Sequence, residues 1–449
     1  MDVPKLNVLL LIVVLVNMLS TIQTMEVKCV DKLNKRLSIF KDEENHTNPY
    51  LDVDFMIADN HCFIDEKITL DDNELLSILS PNTEQITSIT FATPSTLPKF
   101  PMVIFATFSN LMDVHLVFTG IEVIEEDDFT NATMLKRLRL EQNNIKHISK
   151  TAFGKALKIE SLELPANGIH EIDDYAFANL QNLTKLDLQQ NNLTVIREHI
   201  FSGAYNLNEI FLNENQIQIV EDGAFYLEKL SRIYLQDNQL KTLSPNLLTG
   251  TPFLYGIDIS NNQLATVQGI FDKCPNLTII GLNHNQIEFL DLIELANIPS
   301  LMVLSLEDNK ITFNVNETLR KNLRPSKTHL EYINLDSNNL ASPSILNELN
   351  VFHRLKFLDL DNNKLTKIDN FKEIRSLFPH FIQMNMNNNP LNCDWLEDAW
   401  PFIESEGIIF KAIESDKDDR KESNKFSAGN QKIVHNITCN IEDFPISSK

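Results

Sequence analysis

Glycine is scarce in this chain, 11 among 449 residues, and none of it falls in a GxGxxG or GxxxxGKS/T spacing. The backbone cradles that hold nucleotide phosphates are therefore missing. Basic residues are in deficit too: 39 Lys+Arg stand against 62 Asp+Glu, a formal net charge of −23. So acidic a surface repels phosphate backbones and anionic headgroups, and no nucleic-acid partner is expected. No HExxH, GxSxG or CxxC occurs, which removes the signatures of zinc proteases, serine hydrolases and paired-thiol metal sites. Neither a metal nor a cofactor is expected. Hydrophobic residues nonetheless make up 43% and charged residues 22%, so a large core can form.

Long apolar runs are confined to one place. Val8 to Val16 follows Lys5 and precedes Ser20, Thr21 and Thr24. The run is shorter than the roughly 20 residues a spanning helix needs, so residues 1–24 read as a signal peptide cleaved near Thr24, the alternative being an uncleaved anchor. No second stretch of spanning length follows, and the mature chain is expected to be secreted, extracellular and not inserted in a membrane. Asn-x-Ser/Thr acceptors at Asn45, Asn131, Asn182, Asn192, Asn276, Asn316 and Asn436 fit that route.

What the chain does have is a repeat. The pattern L-x-x-L-x-L-x-x-N-x-L starts at Leu135, Ile159, Leu183, Leu207, Leu230, Leu254, Leu277, Leu301, Leu330 and Leu355, with a degenerate copy at Leu111 and a last one at Phe381. Up to Leu301 the starts are 23 or 24 residues apart. This is the leucine-rich repeat signature. It predicts an α/β solenoid, a horseshoe whose concave face is a parallel sheet. The inward leucines, such as Leu186 and Leu188, alternate with outward residues because side chains alternate across a strand. The asparagines at Asn143, Asn167, Asn191, Asn215, Asn238, Asn262, Asn285, Asn309, Asn338, Asn363 and Asn389 are placed to satisfy backbone groups where the chain turns. Phe129, Phe153, Phe177, Phe201 and Phe225 recur eighteen residues into successive repeats and predict a stacked aromatic spine, continued by Leu248 and Leu295. From Leu301 to Leu330 the spacing is 29, with a helical pattern at Asn316 to Leu323, and the 25- and 26-residue repeats that follow favour short convex helices. The expected organisation is residues 25–85 as N-terminal cap, 86–391 as about 12 repeats and 392–449 as C-terminal cap.

A repeat buries its apolar face only against neighbours, so both ends need lids. Cys29 and Cys62 precede the array while Cys393 and Cys439 follow it. Of the three pairings of four cysteines, Cys29–Cys62 with Cys393–Cys439 keeps both bridges local. Cys274 lies in the column of Leu180, Leu227, Ile298 and Phe352, which predicts a buried thiol, against the alternative of an interchain bridge.

The stretch Asn389-Pro-Leu-Asn-Cys-Asp-Trp-Leu396, followed by Trp400, resembles the C-terminal flanking cap of extracellular leucine-rich repeat proteins. With the Cys62-Phe-Ile lead-in and the stretch holding Phe91 and Phe105, the chain is similar to secreted leucine-rich repeat proteins of dipteran insects, in particular the coil-less leucine-rich immune proteins of mosquitoes. That resemblance implies haemolymph immunity, through binding of complement-like thioester proteins or microbial surfaces. The cap has two cysteines where many relatives have four, and no heptad coil follows Cys439, so coiled-coil dimerisation is not implied.

The histidines are scattered. His147 and His170 fall after ladder asparagines, where solvated surface is expected, and carboxylates such as Asp187, Asp258, Asp359 and Asp361 on an open face are expected to be solvated and unperturbed. The run Glu414 to Glu422 is faintly calcium-like but lacks an EF-hand loop's spacing. No enzyme is expected. What remains is the concave face, where Phe211, Tyr234 and, at the flank, Tyr255 stand between Asp187 and Asp258. These five residues are the candidate binding site, and the acids favour a basic protein partner. The alternative is cross-strand packing that only stabilises the sheet. Glu307, Asp336 and Asp361, in the following column, read as a solvated acidic face. The functional expectation is a non-enzymatic binding scaffold in extracellular innate immunity, with a matrix or cell-surface adhesion component as the alternative. Neither ligand identity nor oligomeric state is encoded in these motifs.

Overall fold

The computed structural model describes residues 24–28, 60–64, 67–69, 75–79, 83–91, 93–313, 328–412, 431–435 and 437–440. Cys29, Asn45, Asn316, Asn436, the helical pattern ending at Leu323 and the acidic run from Glu414 lie outside them. The chain divides into two compact units, Met1–Gln216 and Ile217–Lys449.

In the first unit, parallel strands pair in chain order: His61–Ile64, Ser88–Phe91, Asp113–Leu116, Arg137–Arg139, Ser161–Glu163, Lys185–Asp187 and Glu209–Phe211. Register puts Leu138, Leu162, Leu186 and Ile210 at one level. All four are fully buried, each worth about 1.5–3 kcal/mol of transfer free energy. The second unit repeats the design with Arg232–Tyr234, Gly256–Asp258, Ile279–Gly281, Val303–Ser305, Tyr332–Asn334, Phe357–Asp359, Gln383–Asn385 and Ile409–Lys411, joined through the level of Ile257, Ile280, Leu304, Ile333, Leu358 and Met384. This is the leucine-rich repeat solenoid that the periodicity predicts. The sheets reach past the leucine motif at both ends: His61–Ile64 lies in the expected N-terminal cap and Ile409–Lys411 in the C-terminal one.

After each strand from Arg137–Arg139 to Gln383–Asn385 the chain turns through a left-handed residue that is never glycine: Gln142, Ala166, Gln190 and Glu214 in the first unit, then Asp237, Asn261, His284, Asp308, Ser337, Asn362 and Asn388 in the second, with φ of 50–58°. Such backbone costs about 1–2 kcal/mol per residue. The ladder asparagine one residue on offsets it. Asn191 Nδ2 donates to the carbonyls of Leu188 (3.1 Å), Gln189 (3.1 Å) and, one repeat back, Leu164 (3.0 Å), while its Oδ1 accepts from Ile169 N (3.0 Å). One side chain thus closes its own turn and ties it to the preceding repeat.

The aromatic spine is present in the first unit, where Phe129–Phe153, Phe153–Phe177 and Phe177–Phe201 have ring centroids 5.6, 6.2 and 6.2 Å apart. Phe100 and Phe105 extend it N-terminally against Phe129, at 5.0 and 6.1 Å. Phe225, Leu248 and Leu295 are buried in the second unit. Convex helices occur in the longer repeats as expected, at Ile345–Leu349 and Ile374–Leu377. A further one, Leu292–Ala296, sits in an ordinary repeat because Asp291 caps it, accepting from Ile293 N and Glu294 N.

Cys393 and Cys439 form a disulfide. It lies in a small cluster with Leu396, Val434 and Ile437, against which Trp395, Trp400 and Phe410 pack. Asn392 caps the helix Cys393–Ser405 by accepting from Trp395 N, and Trp395 Nε1 donates to Ile368 O (3.1 Å). Cys62 is fully buried on the first strand of the sheet. Cys274 is free and fully buried, its thiol pushed up to about 11 by burial. An interchain bridge is out of its reach.

Candidate protein-binding face

Each strand turns two residues outward, one on either side of its inward leucine or isoleucine. In the first unit most of these outward residues are ions that meet across strands. Arg137 pairs with Asp113; Arg139 Nε lies 3.4 Å and Lys185 Nζ 3.3 Å from the Glu163 carboxylate, which Ser161 Oγ also reaches at 2.9 Å. Burial opposes charge on Glu163, but Arg139 and Lys185 hold its carboxyl below the usual carboxylate range. Deeper, buried His115 faces buried Glu141 at 3.5 Å. Phe211, half-buried, carries the Lys185 ammonium 5.4 Å from its ring centroid.

Asp187 departs from the expectation that carboxylates here are solvated. It is only 6% exposed, and burial pushes its carboxyl up to about 6, even though Gln189 N donates to it at 3.1 Å. Glu163 and Glu141 push the same way. The physical reason is its neighbours: the strands on either side present Glu163 and Phe211, and the Gln189 side chain closes over it at 3.3 Å.

In the second unit Tyr255 is 42% exposed, with the Arg232 guanidinium 5.8 Å from its ring. Tyr234 is half-buried on the strand Arg232–Tyr234. Asp258 accepts from Ser260 N (3.0 Å) and Ser260 Oγ (2.6 Å). Gly281, on the next strand, leaves this carboxylate room: a Cβ there would stand 2.8 Å from Asp258 Oδ1 and make the Asp258 side chain shift. The structure thus places Asp187 and Phe211 on the face of the first unit, and Tyr234, Tyr255 and Asp258 on that of the second.

Two features escape the sequence reading. In the second unit the first outward column is apolar on successive strands, Ile279, Val303, Tyr332 and Phe357, with exposed Met302 beside it. In the first unit, donor atoms of His147, Glu171 and Asp173 fall within 4.8 Å of one another, close enough for a metal ion. His147 Nε2 lies 2.9 Å from Asp173 Oδ1, and that hydrogen bond holds the Asp173 carboxyl below its ordinary range. A surface ion pair accounts for the geometry. The signal was available in the 24-residue offset between His147 and Glu171. Of the glycosylation acceptors in the described residues, Asn131, Asn182, Asn192 and Asn276 are exposed. No helix among the described residues is long and apolar enough to cross a membrane.

Inward leucines, an asparagine ladder and parallel register in both units decide the architecture. The fold is that of leucine-rich repeat proteins. Residues 81–184 and 170–291 match the family described as BspA type leucine rich repeat region, in six copies. No curated protein matches the sequence. Among solved structures, the leucine-rich repeat domain of mosquito APL1 is similar, with a TM-score of 0.61 and 18% identity over 94% of this chain and 100% of that one. Toll, in the Toll–Spatzle complex described as a hub in Drosophila development and innate immunity, gives 0.57 at 20% identity over 74% of this chain and 46% of that. TLR13, in a complex with single-stranded RNA, gives 0.57 at 20% over 73% and 50%. This chain therefore spans about half the length of the Toll and TLR13 chains it matches. At these identities the likeness shows the fold alone. Since TLR13 carries RNA on it, the fold lends no support to the exclusion of nucleic acid, which rests on the charge of −23 alone.

Proposed function

We propose that the chain is a secreted, non-enzymatic protein-binding scaffold that uses the outward faces of its parallel sheet, in extracellular innate immune recognition. The observation that carries the reading is the setting of the aromatics: Phe211 on its strand and Tyr255 immediately before the strand Gly256–Asp258 each lie beneath a cation, at 5.4 and 5.8 Å. Rings held this way lose little freedom when a partner covers them, which is what interface hot spots require. Asp258 adds charge that favours a basic partner and acts mainly on association rate. The immune role draws on the likeness to APL1 and Toll. The test is capture from insect body fluid by the immobilised full chain. Phe211→Ala in the first unit, and Tyr234→Ala with Tyr255→Ala in the second, are each expected to weaken capture by about 2 kcal/mol with folding intact. A partner retained in full by both variants would remove these aromatics from consideration.

A further inference from the structure

The two sheet faces solve their charge differently. In the first unit acids and bases close on each other across strands. In the second, Glu307, Asp336 and Asp361 follow one another on neighbouring repeats, with Asp359 beside them. Their donors are neutral: Asn334 Nδ2 donates to Glu307 Oε2 (3.2 Å), Asn362 Nδ2 to Asp336 Oδ1 (2.7 Å), Asn385 Nδ2 to Asp359 Oδ2 (2.6 Å) and Asn387 Nδ2 to Asp361 Oδ2 (2.6 Å). Among the described residues no Lys, Arg or His forms an ion pair with any of the four. Like charges in register on neighbouring repeats, each just past its strand, repel one another, so folding does not account for the column. Burial, and after it the charges of Asp359, Glu307 and Asp336, raise the Tyr332 phenol above its ordinary value.

The column Gly281, Ser305, Asn334 and Asp359 separates Glu307, Asp336 and Asp361 from an apolar one, Ile279, Val303, Tyr332 and Phe357, on the same four strands in register. Strands lie about 4.8 Å apart, so the side chains form one stripe. Ile279 is 39% exposed and Met302, at its edge, 40%. An apolar stripe on one side of the face and, across one column, acids whose donors among the described residues are neutral make a complementary mould for a segment with the opposite pattern.

We propose that this face of the second unit docks an amphipathic, cationic segment of a partner protein, its apolar side chains over Ile279 to Phe357 and its Lys or Arg over Glu307, Asp336, Asp359 and Asp361. The inference rests on the protein-binding reading and adds to it the partner's chemistry and the unit that receives it. A second copy of this chain is disfavoured as occupant, because two such faces meet with like charge.

The experiment titrates the full chain into a fluorescent helical Leu/Lys peptide at physiological salt with EDTA, and into its Leu→Ser and Lys→Glu counterparts. The Leu/Lys peptide is expected to bind, and each counterpart about tenfold more weakly or worse. Two variants test the place: Glu307→Gln with Asp336→Asn and Asp361→Asn, and Ile279→Ser with Met302→Ser, whose side chains lie outside the core. Each is expected to weaken binding about tenfold, whereas a control of equal charge change at exposed sites, Glu228→Gln with Asp272→Asn and Glu288→Gln, shifts it less than about twofold. Equal weakening by the control, full binding of the Leu→Ser peptide, or no effect of the two face variants each overturns the proposal. Should that happen while Phe211→Ala or the Tyr234 and Tyr255 changes still abolish capture from body fluid, the binding reading survives and this one falls. If none of these changes affects capture, both fall.

Discussion

Replacing Asn262 with leucine tests the ladder at one position whose partners are all accounted for. Asn262 is 8% exposed; its Nδ2 donates to Leu235 O (3.0 Å), Ile259 O (3.1 Å) and Ser260 O (3.1 Å), and its Oδ1 accepts from Leu240 N (2.9 Å). The carbonyls are not equally at risk. Leu235 O also accepts from Asn238 Nδ2, Ile259 O from Asn285 Nδ2 and Ser260 O from Asp237 N, so each keeps a donor. Leu240 N keeps none, and a buried amide without an acceptor costs about 1–3 kcal/mol. Leucine matches asparagine in size and regains some apolar burial, so a net loss of about 2 kcal/mol is expected. For a unit of this size that lowers the thermal midpoint by about 4–8 °C. Asn262→Asp is the informative companion. It keeps an acceptor for Leu240 N but turns an oxygen on the three carbonyls, and it is expected to be the more damaging at neutral pH. Thermal unfolding followed by circular dichroism measures both. A leucine variant with an unchanged midpoint, or an aspartate variant as stable as the wild type, refutes the assignment of the ladder's strength to these bonds.

Two other expectations follow from groups that the fold treats unusually. The disulfide Cys393–Cys439 spans 46 residues, and closing a loop of that length stabilises by up to about 4 kcal/mol. Cys393→Ala with Cys439→Ala is therefore expected to expose the helix Cys393–Ser405 to hydrogen exchange, and unchanged protection there would show that the bridge is not what holds the cap. The Asp187 carboxyl, at about 6 in the folded chain against 3.8 for the free group, binds more protons folded than unfolded between those values. Stability then falls as pH rises from about 4 to about 6, by up to roughly 3 kcal/mol. Asp187→Asn should raise the midpoint at pH 7 and leave it unchanged below pH 4, and the reverse order would refute the sign.

The core was legible because it is periodic. Leu138, Leu162, Leu186 and Ile210 repeat at 24 residues in the sequence and meet at one level in the sheet, and the same offset yields the ladder and the phenylalanine spine. A repeat can be read from one copy and checked on the next. The helix Leu292–Ala296 carries its own signal, because Asp291 followed three residues later by Glu294 is an N-terminal signature. Burial of Asp187 was not legible. It depends on Gln189 folding back and on Glu163 and Phe211 arriving from other repeats, none of which a single column shows.

The faces were the harder part for a related reason. Inward positions answer to one constraint, the shared core, whereas outward ones answer to whatever lies opposite them, so their columns change from repeat to repeat without disturbing the backbone. Ile279, Val303 and Phe357 also sit next to inward Ile280, Leu304 and Leu358, and a run of adjacent apolar residues reads as core. Only the parallel register, which fixes alternate residues on opposite sides, turns them outward. Once they are placed there, stability alone does not explain them. The first unit shows that this fold can fill its face with paired ions, and the second has there apolar side chains and acids that, among the described residues, meet only neutral donors. Among the described residues nothing offsets that exchange, and the gain is expected in what the face meets.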